Sequence, residues 1–134
     1  MKYRLYVSAY CSNTRALESN MSIGGVILSN NSEREFSKII GNGTLLESHV
    51  HAIEYGINEI LKNDEVTSID VYSTNLMIIN YMNGIYIELP KKTKLIIEKL
   101  VKLIESVMVN IRFEYFDGNE YKYVKSLAVD ALGV

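Results

Sequence analysis

The sequence predicts a mixed α/β domain in the element order βββ-α-β-α-α-β-α. Three observations carry that reading. Before residue 41, apolar residues recur with a period of two, as on one face of a strand; beyond it, they recur at helical spacing in long stripes. Between those stripes stand two short alternating segments, read as strands that are reached through helices. Strands reached that way are expected to lie parallel to a neighbour, because a tight hairpin does not return them.

Each element has its own residue-level reason. Tyr3, Leu5, Val7 and Ala9 alternate with Arg4, Tyr6 and Ser8, which makes 3–9 the first strand. A polar loop follows, then Ser22-Ile23-Gly24-Gly25-Val26-Ile27-Leu28, the turn Ser29-Asn30-Asn31-Ser32, and a third strand from Glu35 to Ile40. These form an antiparallel meander, ended by Gly41-Asn42-Gly43. Thr44-Leu45-Leu46-Glu47 fits a capping box, in which the Thr44 hydroxyl and the Glu47 carboxylate satisfy free amides reciprocally. The stripe Leu45, His49, Ala52, Ile53, Gly56, Ile57, Ile60 and Leu61 then follows helical spacing and faces the sheet. Ser68 to Ser73 is the fourth strand, followed by a short helix from about Asn75 to Asn83 that Gly84 ends. Pro90 opens a long amphipathic helix with Ile96, Ile97, Leu100, Leu103, Ile104 and Val107 inward. Val109, Ile111, Phe113 and Tyr115 alternate as a fifth strand, and a last helix carries Val124, Leu127, Ala128 and Ala131.

Composition narrows the class. The 134 residues are 48% hydrophobic and 22% charged, near globular averages, so disorder and coiled-coil composition are excluded. No internal repeat or linker interrupts them, and residues 1–134 read as one domain. No apolar run approaches the ~20 residues that span a bilayer. The start, Met1 to Val7, has no signal-peptide layout, and the single cysteine cannot build a disulfide framework; both point to a cytoplasmic protein. Fourteen basic residues stand against 16 acidic ones, a net charge of −2, so there is no global polycationic attraction to nucleic acid.

The element order resembles the ribonuclease H-like superfamily, type 1 ribonuclease H in particular, over nearly the whole chain. Leu5-Tyr6-Val7 with Ile23 to Leu28 is similar to that family's first hairpin, and Ala52-Ile53 with Gly56-Ile57 to its first helix. Ser73-Thr74-Asn75-Leu76 through Asn83-Gly84 is similar to its fourth strand and following helix. Ser126-Leu127-Ala128 with Ala131-Leu132 is similar to its final Leu-Ala helix. The resemblance implies a five-stranded mixed sheet of order 3-2-1-4-5 with helices on both faces. It also implies a site of four carboxylates holding two Mg²⁺ ions that flank the scissile phosphate of an RNA/DNA hybrid.

The chemistry departs from that pattern. By register the four carboxylate positions fall on Ser8, His49, Thr74 and Lys125, and the family's loop histidine falls on Tyr115. Mg²⁺ keeps its water unless charged oxygens replace it, and two ions only ~4 Å apart need anions to offset their repulsion. A hydroxyl, an imidazole, a second hydroxyl and an ammonium offer none. The expectation is a degenerate site with no metal and no cofactor. Moving the register to Glu47 does not restore the set, because the capping box occupies Glu47.

Other residues have weaker claims. His49 and His51 lie two apart, on opposite faces of a helix, and cannot chelate one ion; zinc would need His49 with Cys11 and a third ligand. A packed helix histidine is the simpler reading. Ser8 beside His49 lacks a nucleophile elbow or oxyanion motif, so a buried Ser–His hydrogen bond is preferred to catalysis. Cys11, at the mouth of the site, reads as a small semi-buried residue rather than a reactive thiol. Lys91, Lys92, Lys94, Lys99 and Lys102 mark the polar face of the long helix, either as a solvated face paired through Glu98 or as a phosphate-contacting stripe. Lys122 and Lys125, interleaved with Tyr121 and Tyr123, form a second basic-aromatic patch. Gly84 to Leu89, with Ile85, Tyr86 and Ile87, is unusually apolar for a connection; it either tucks under the long helix or forms an exposed contact edge.

Three expectations follow. The first is a catalytically inactive nucleic-acid-binding module for RNA, DNA or their hybrid through these lysines. The second is a structural or protein-interaction domain, a homodimer through Ile85, Tyr86 and Ile87. The third, least supported, is a metal-dependent endoribonuclease with ligands relocated to Asp70, Glu114 or Asp117, in a chain with only four aspartates.

Overall fold

A computed structural model describes residues 1–13, 19–118 and 120–133. Its elements are β1 (Lys2–Cys11), β2 (Ser19–Ser29), β3 (Ser32–Gly43), α1 (Leu45–Leu61), β4 (Ser68–Ser73), α2 (Leu76–Met82), α3 (Lys91–Ser106), β5 (Asn110–Tyr115) and α4 (Tyr121–Ala131). The strands form one sheet in the order β3-β2-β1-β4-β5. β1, β2 and β3 pair antiparallel in succession, while β4 joins β1, and β5 joins β4, in parallel. This is the predicted mixed sheet.

The two faces of β1 separate the helices. Leu5 and Val7 are fully buried towards α1, where Gly56 lets the helix approach: a Cβ on it would fall 2.5 Å from Leu5 Cδ2. α2 and α3 pack beside α1. Tyr6 and Ser8 point to the opposite face, which α4 covers across β1, β2 and β3. Gly24 admits α4 so closely that a Cβ there would lie 2.4 Å from the backbone nitrogen of Ala128. The Ser22 hydroxyl donates to the Ala128 carbonyl and the Ser37 hydroxyl to the Leu127 carbonyl, each at 2.5 Å. α4 is thereby fixed in height and rotation on the sheet.

Three local expectations are corrected. Gly41-Asn42-Gly43 does not end the meander; the three residues continue β3, paired with Met21, Asn20 and Ser19. A register shift at Met21/Ser22 absorbs the irregularity, and Gly41 takes φ +102°, a conformation glycine adopts without a Cβ penalty. The capping box is half formed: Thr44 Oγ1 accepts from the Glu47 amide at 3.2 Å, but the Glu47 carboxylate returns no bond to Thr44. It lies instead over Gly43, where a Cβ would be 2.6 Å from Oε2, so the missing side chain makes its room. The first turn of α1 is also buried beyond the predicted stripe, with Glu47, Ser48 and Val50 enclosed and Leu45 only half-buried. Residues 14–18 of the expected polar loop lie outside the described residues.

Candidate functional site

Parallel strands end on the same side of a sheet, and ligand crevices of open α/β sheets lie outside such carboxyl ends. β1 and β4 pair Val7 with Ser73, so the next residues, Ser8 and Thr74, meet beyond the ladder. Their hydroxyls are 2.8 Å apart and share one hydrogen bond. Thr74 then leads into α2, whose cap Asn75 accepts from the Ile78 amide at 3.0 Å. The first turns of α1 and α4 close the other two sides. A cleft of about 250 Å³ results, lined by Ser8, Ala9, Tyr10, Leu45, His49, Thr74, Asn75, Tyr121 and Lys125.

Four of the five residues picked out by register therefore converge: Ser8, His49, Thr74 and Lys125. Tyr115 does not. It is still within β5, paired with Ser73 and 40% exposed, outside the cleft lining; an ungapped register reached the strand before the loop had begun. Tyr10, Asn75 and Tyr121 line the cleft without having been picked out for it. Tyr10 was legible as the residue two beyond Ser8 on one strand face. Tyr121 is set by an aromatic chain in which Tyr6 and Tyr72 stack at 4.6 Å, Phe116 meets Tyr6 edge-on at 5.2 Å, and Tyr121 lies 6.2 Å from Phe116.

The electrostatics of the cleft come from two groups. His49 is 6% exposed, and burial lowers its pKa from 6.5 to about 4, with the nearby Lys125 ammonium acting in the same direction. The imidazole is thus neutral beside a cation at neutral pH. The expected Ser8–His49 hydrogen bond is absent: the Ser8 hydroxyl bonds Thr74 instead, and His49 Nδ1 is buried without a partner. Cys11 is fully buried and outside the lining, not at the mouth, so its thiol is shielded from solvent. His51 also stands outside the lining. The described residues include no group of three or more His, Cys, Asp or Glu side chains able to hold a metal. Two Mg²⁺ ions do not fit a lining of hydroxyls, one buried imidazole and an ammonium. Asp70 is engaged by Arg112 (Nε to Oδ1 3.3 Å) at mid-strand, and neither Glu114 nor Asp117 lines the cleft.

The remaining cations divide. Lys91 and Lys94 border a second cleft, of about 660 Å³, with Tyr81, Tyr86, Ile87, Glu88 and Leu89. Lys92, Lys99 and Lys102 are exposed along α3, and no ion pair joins Glu98 to Lys94 or Lys102. The second basic-aromatic patch splits, since Lys125 and Tyr121 face the first cleft whereas the Tyr123 hydroxyl donates to Glu35 on β3. Lys122 is exposed. Along the 84–89 connection Ile85 and Tyr86 are exposed, Ile87 is half-buried and Leu89 is buried.

No protein-family model and no curated protein sequence matches the chain. Solved structures do match it. The N-terminal RNase H domain of a Mycobacterium tuberculosis protein aligns with TM-score 0.77 and 18% identity over 98% of both chains. RNase H1 from the halophilic archaeon Halobacterium salinarum aligns with TM-score 0.82 and 12% identity, over 99% of this chain and 98% of that one. LC11-RNase H1, isolated from compost by a metagenomic approach, aligns in its complex with RNA/DNA hybrid with TM-score 0.79 and 16% identity, over 98% and 96%. The fold is ribonuclease H-like. No helix among the described residues is long and apolar enough to cross a membrane.

Proposed function

We propose that this ribonuclease H-like chain is a nucleic-acid-binding module, for RNA, DNA or RNA/DNA hybrid, whose degenerate cleft does not cleave. The observation that carries the reading is the cleft itself: Ser8, His49, Thr74 and Lys125 converge at the carboxyl ends of β1 and β4, and no carboxylate is among the lining residues. Two like charges 4 Å apart cost about 4 kcal/mol at an effective dielectric of 20, so a bare carboxylate set repels a phosphate that metal ions do not bridge. Hydroxyls, a neutral imidazole and an ammonium impose no such repulsion. The hybrid bound by LC11-RNase H1 supports the choice of ligand class.

The lysines extend the surface. α2 runs from the first cleft, at Asn75, to the second, at Tyr81, which Lys91 and Lys94 border. Its seven residues span about 10 Å, roughly three nucleotides of one strand at 3.4 Å each. Mobility-shift titrations of a hybrid, a duplex DNA and a single-stranded RNA test the reading. Binding that weakens linearly in log–log with salt is expected; no shift for any of the three contradicts it.

A second reading rests on the exposure of Ile85 (54%) and Tyr86 (89%), adjoining Ile87 in the same segment. It makes the chain a homodimer through that connection, and sedimentation that depends on concentration, without nucleic-acid affinity, would favour it.

A further inference from the structure

We propose that the cleft seats a phosphate group directly, with no intervening metal ion, between the Lys125 ammonium, the Ser8–Thr74 hydroxyl pair and the His49 imidazole. This deepens the nucleic-acid reading and rests on it for the identity of the physiological ligand; the chemistry recognised is a phosphate, whether free or in a backbone.

Three features of the cleft point the same way. A hydroxyl carries one hydrogen, and the Ser8–Thr74 bond uses one of the two available. The other hydroxyl hydrogen has no acceptor among the described residues and remains for a ligand. His49 contributes a second unused group: its ring lines the cleft and is 6% exposed, and while Nδ1 is enclosed without a partner, Nε2 is the nitrogen left open and likewise makes no hydrogen bond. A neutral imidazole with its proton on Nε2, the nitrogen that is not enclosed, donates to an incoming oxyanion. Lys125 supplies the charge from an exposed position on α4, close enough for the imidazole to feel it.

These groups are complementary to an acceptor-rich anion and to little else. The lining holds no carboxylate or arginine, and its other polar side chains are Tyr10, Asn75 and Tyr121. At about 250 Å³ the cleft has room for a tetrahedral oxyanion with an ester substituent. Charge-assisted hydrogen bonds from an ammonium to phosphate oxygen are among the stronger ones.

The chain has two histidines, so imidazole nitrogen NMR spectra resolve the site with one assignment variant, His49→Gln. Inorganic phosphate and an RNA/DNA hybrid are titrated separately, each in the presence of chelator. Both are expected to move the His49 nitrogens towards a single tautomer. Lys125→Gln should weaken inorganic phosphate about tenfold or more, Ser8→Ala or Thr74→Ala about fivefold, with Lys125→Arg retaining binding. Lys62→Gln, which removes a cation at the far end of α1, should leave it unchanged. An unresponsive His49, a response that requires Mg²⁺, or an indifferent Lys125→Gln overturns the proposal. Hybrid binding with His49 silent overturns it while the nucleic-acid reading stands. A His49 response to inorganic phosphate without hybrid binding upholds the phosphate site and removes that reading.

Discussion

Acidification should destabilise this protein through one side chain. In the unfolded chain the His49 imidazole takes up a proton as pH falls through 6.5; in the folded chain burial, aided by Lys125, holds it neutral until about pH 4. Between those values the unfolded state binds more protons, so stability falls as pH falls. The stabilisation is fully present above about 6.5 and lost progressively towards 4. At about 1.4 kcal/mol per unit, the shift corresponds to about 3 kcal/mol, a large share of the ~5–15 kcal/mol typical of a domain. Urea unfolding of the wild type and of His49→Gln, followed from about pH 7 to about pH 4, isolates the term. The wild type should lose about 3 kcal/mol more than the variant over that range. Lys125→Gln should shrink the loss without abolishing it, because burial is the larger cause. Parallel pH dependences for wild type and His49→Gln would show that His49 does not carry the effect.

Further perturbations test the scaffold and the surface. Gly24→Ala places a Cβ 2.4 Å from the Ala128 backbone nitrogen and must push α4 off the sheet; a loss of about 1–3 kcal/mol or more is expected from urea midpoints, and an unchanged midpoint would show the approach is looser than described. Thr44→Ala removes the oxygen that caps the Glu47 amide and should cost about 1 kcal/mol, with Thr44→Ser restoring most of it. In the nucleic-acid reading, Lys91, Lys92 and Lys94 changed together to Glu should weaken hybrid binding and lower the log–log salt slope by about 3 if all three contact phosphates; an unaltered slope would remove the α3 lysines from the surface.

The order and type of every predicted element are legible in the sequence, because the periodicities of two and 3.6 reflect which faces are buried. β3 shows where that signal fades. Within it Phe36 and Gly43 are the buried residues, so its polar ends carry no alternation and its length exceeds the predicted 35–40. At the site, the four residues grouped by register, Ser8, His49, Thr74 and Lys125, line one cleft, since the parallel pairing of β1 with β4 and the approach of α1 and α4 are properties of the fold. Side-chain partnerships were not legible. That Ser8 bonds Thr74 rather than His49 depends on where the pairing of β1 with β4 sets the two hydroxyls. Nor did the spacing of the lysines reveal which of them border a cleft. Lys91 and Lys94 do so because the 86–89 connection folds back beside the start of α3.

Binding and cleavage are separated by a single titration. An RNA/DNA hybrid, labelled on both strands, is titrated with the protein in Mg²⁺, in Mn²⁺ and in chelator, reading complex formation and strand integrity together. Saturable, salt-dependent binding with both strands intact in all three conditions is the predicted result. Strand scission that appears with either metal and disappears with chelator would contradict it.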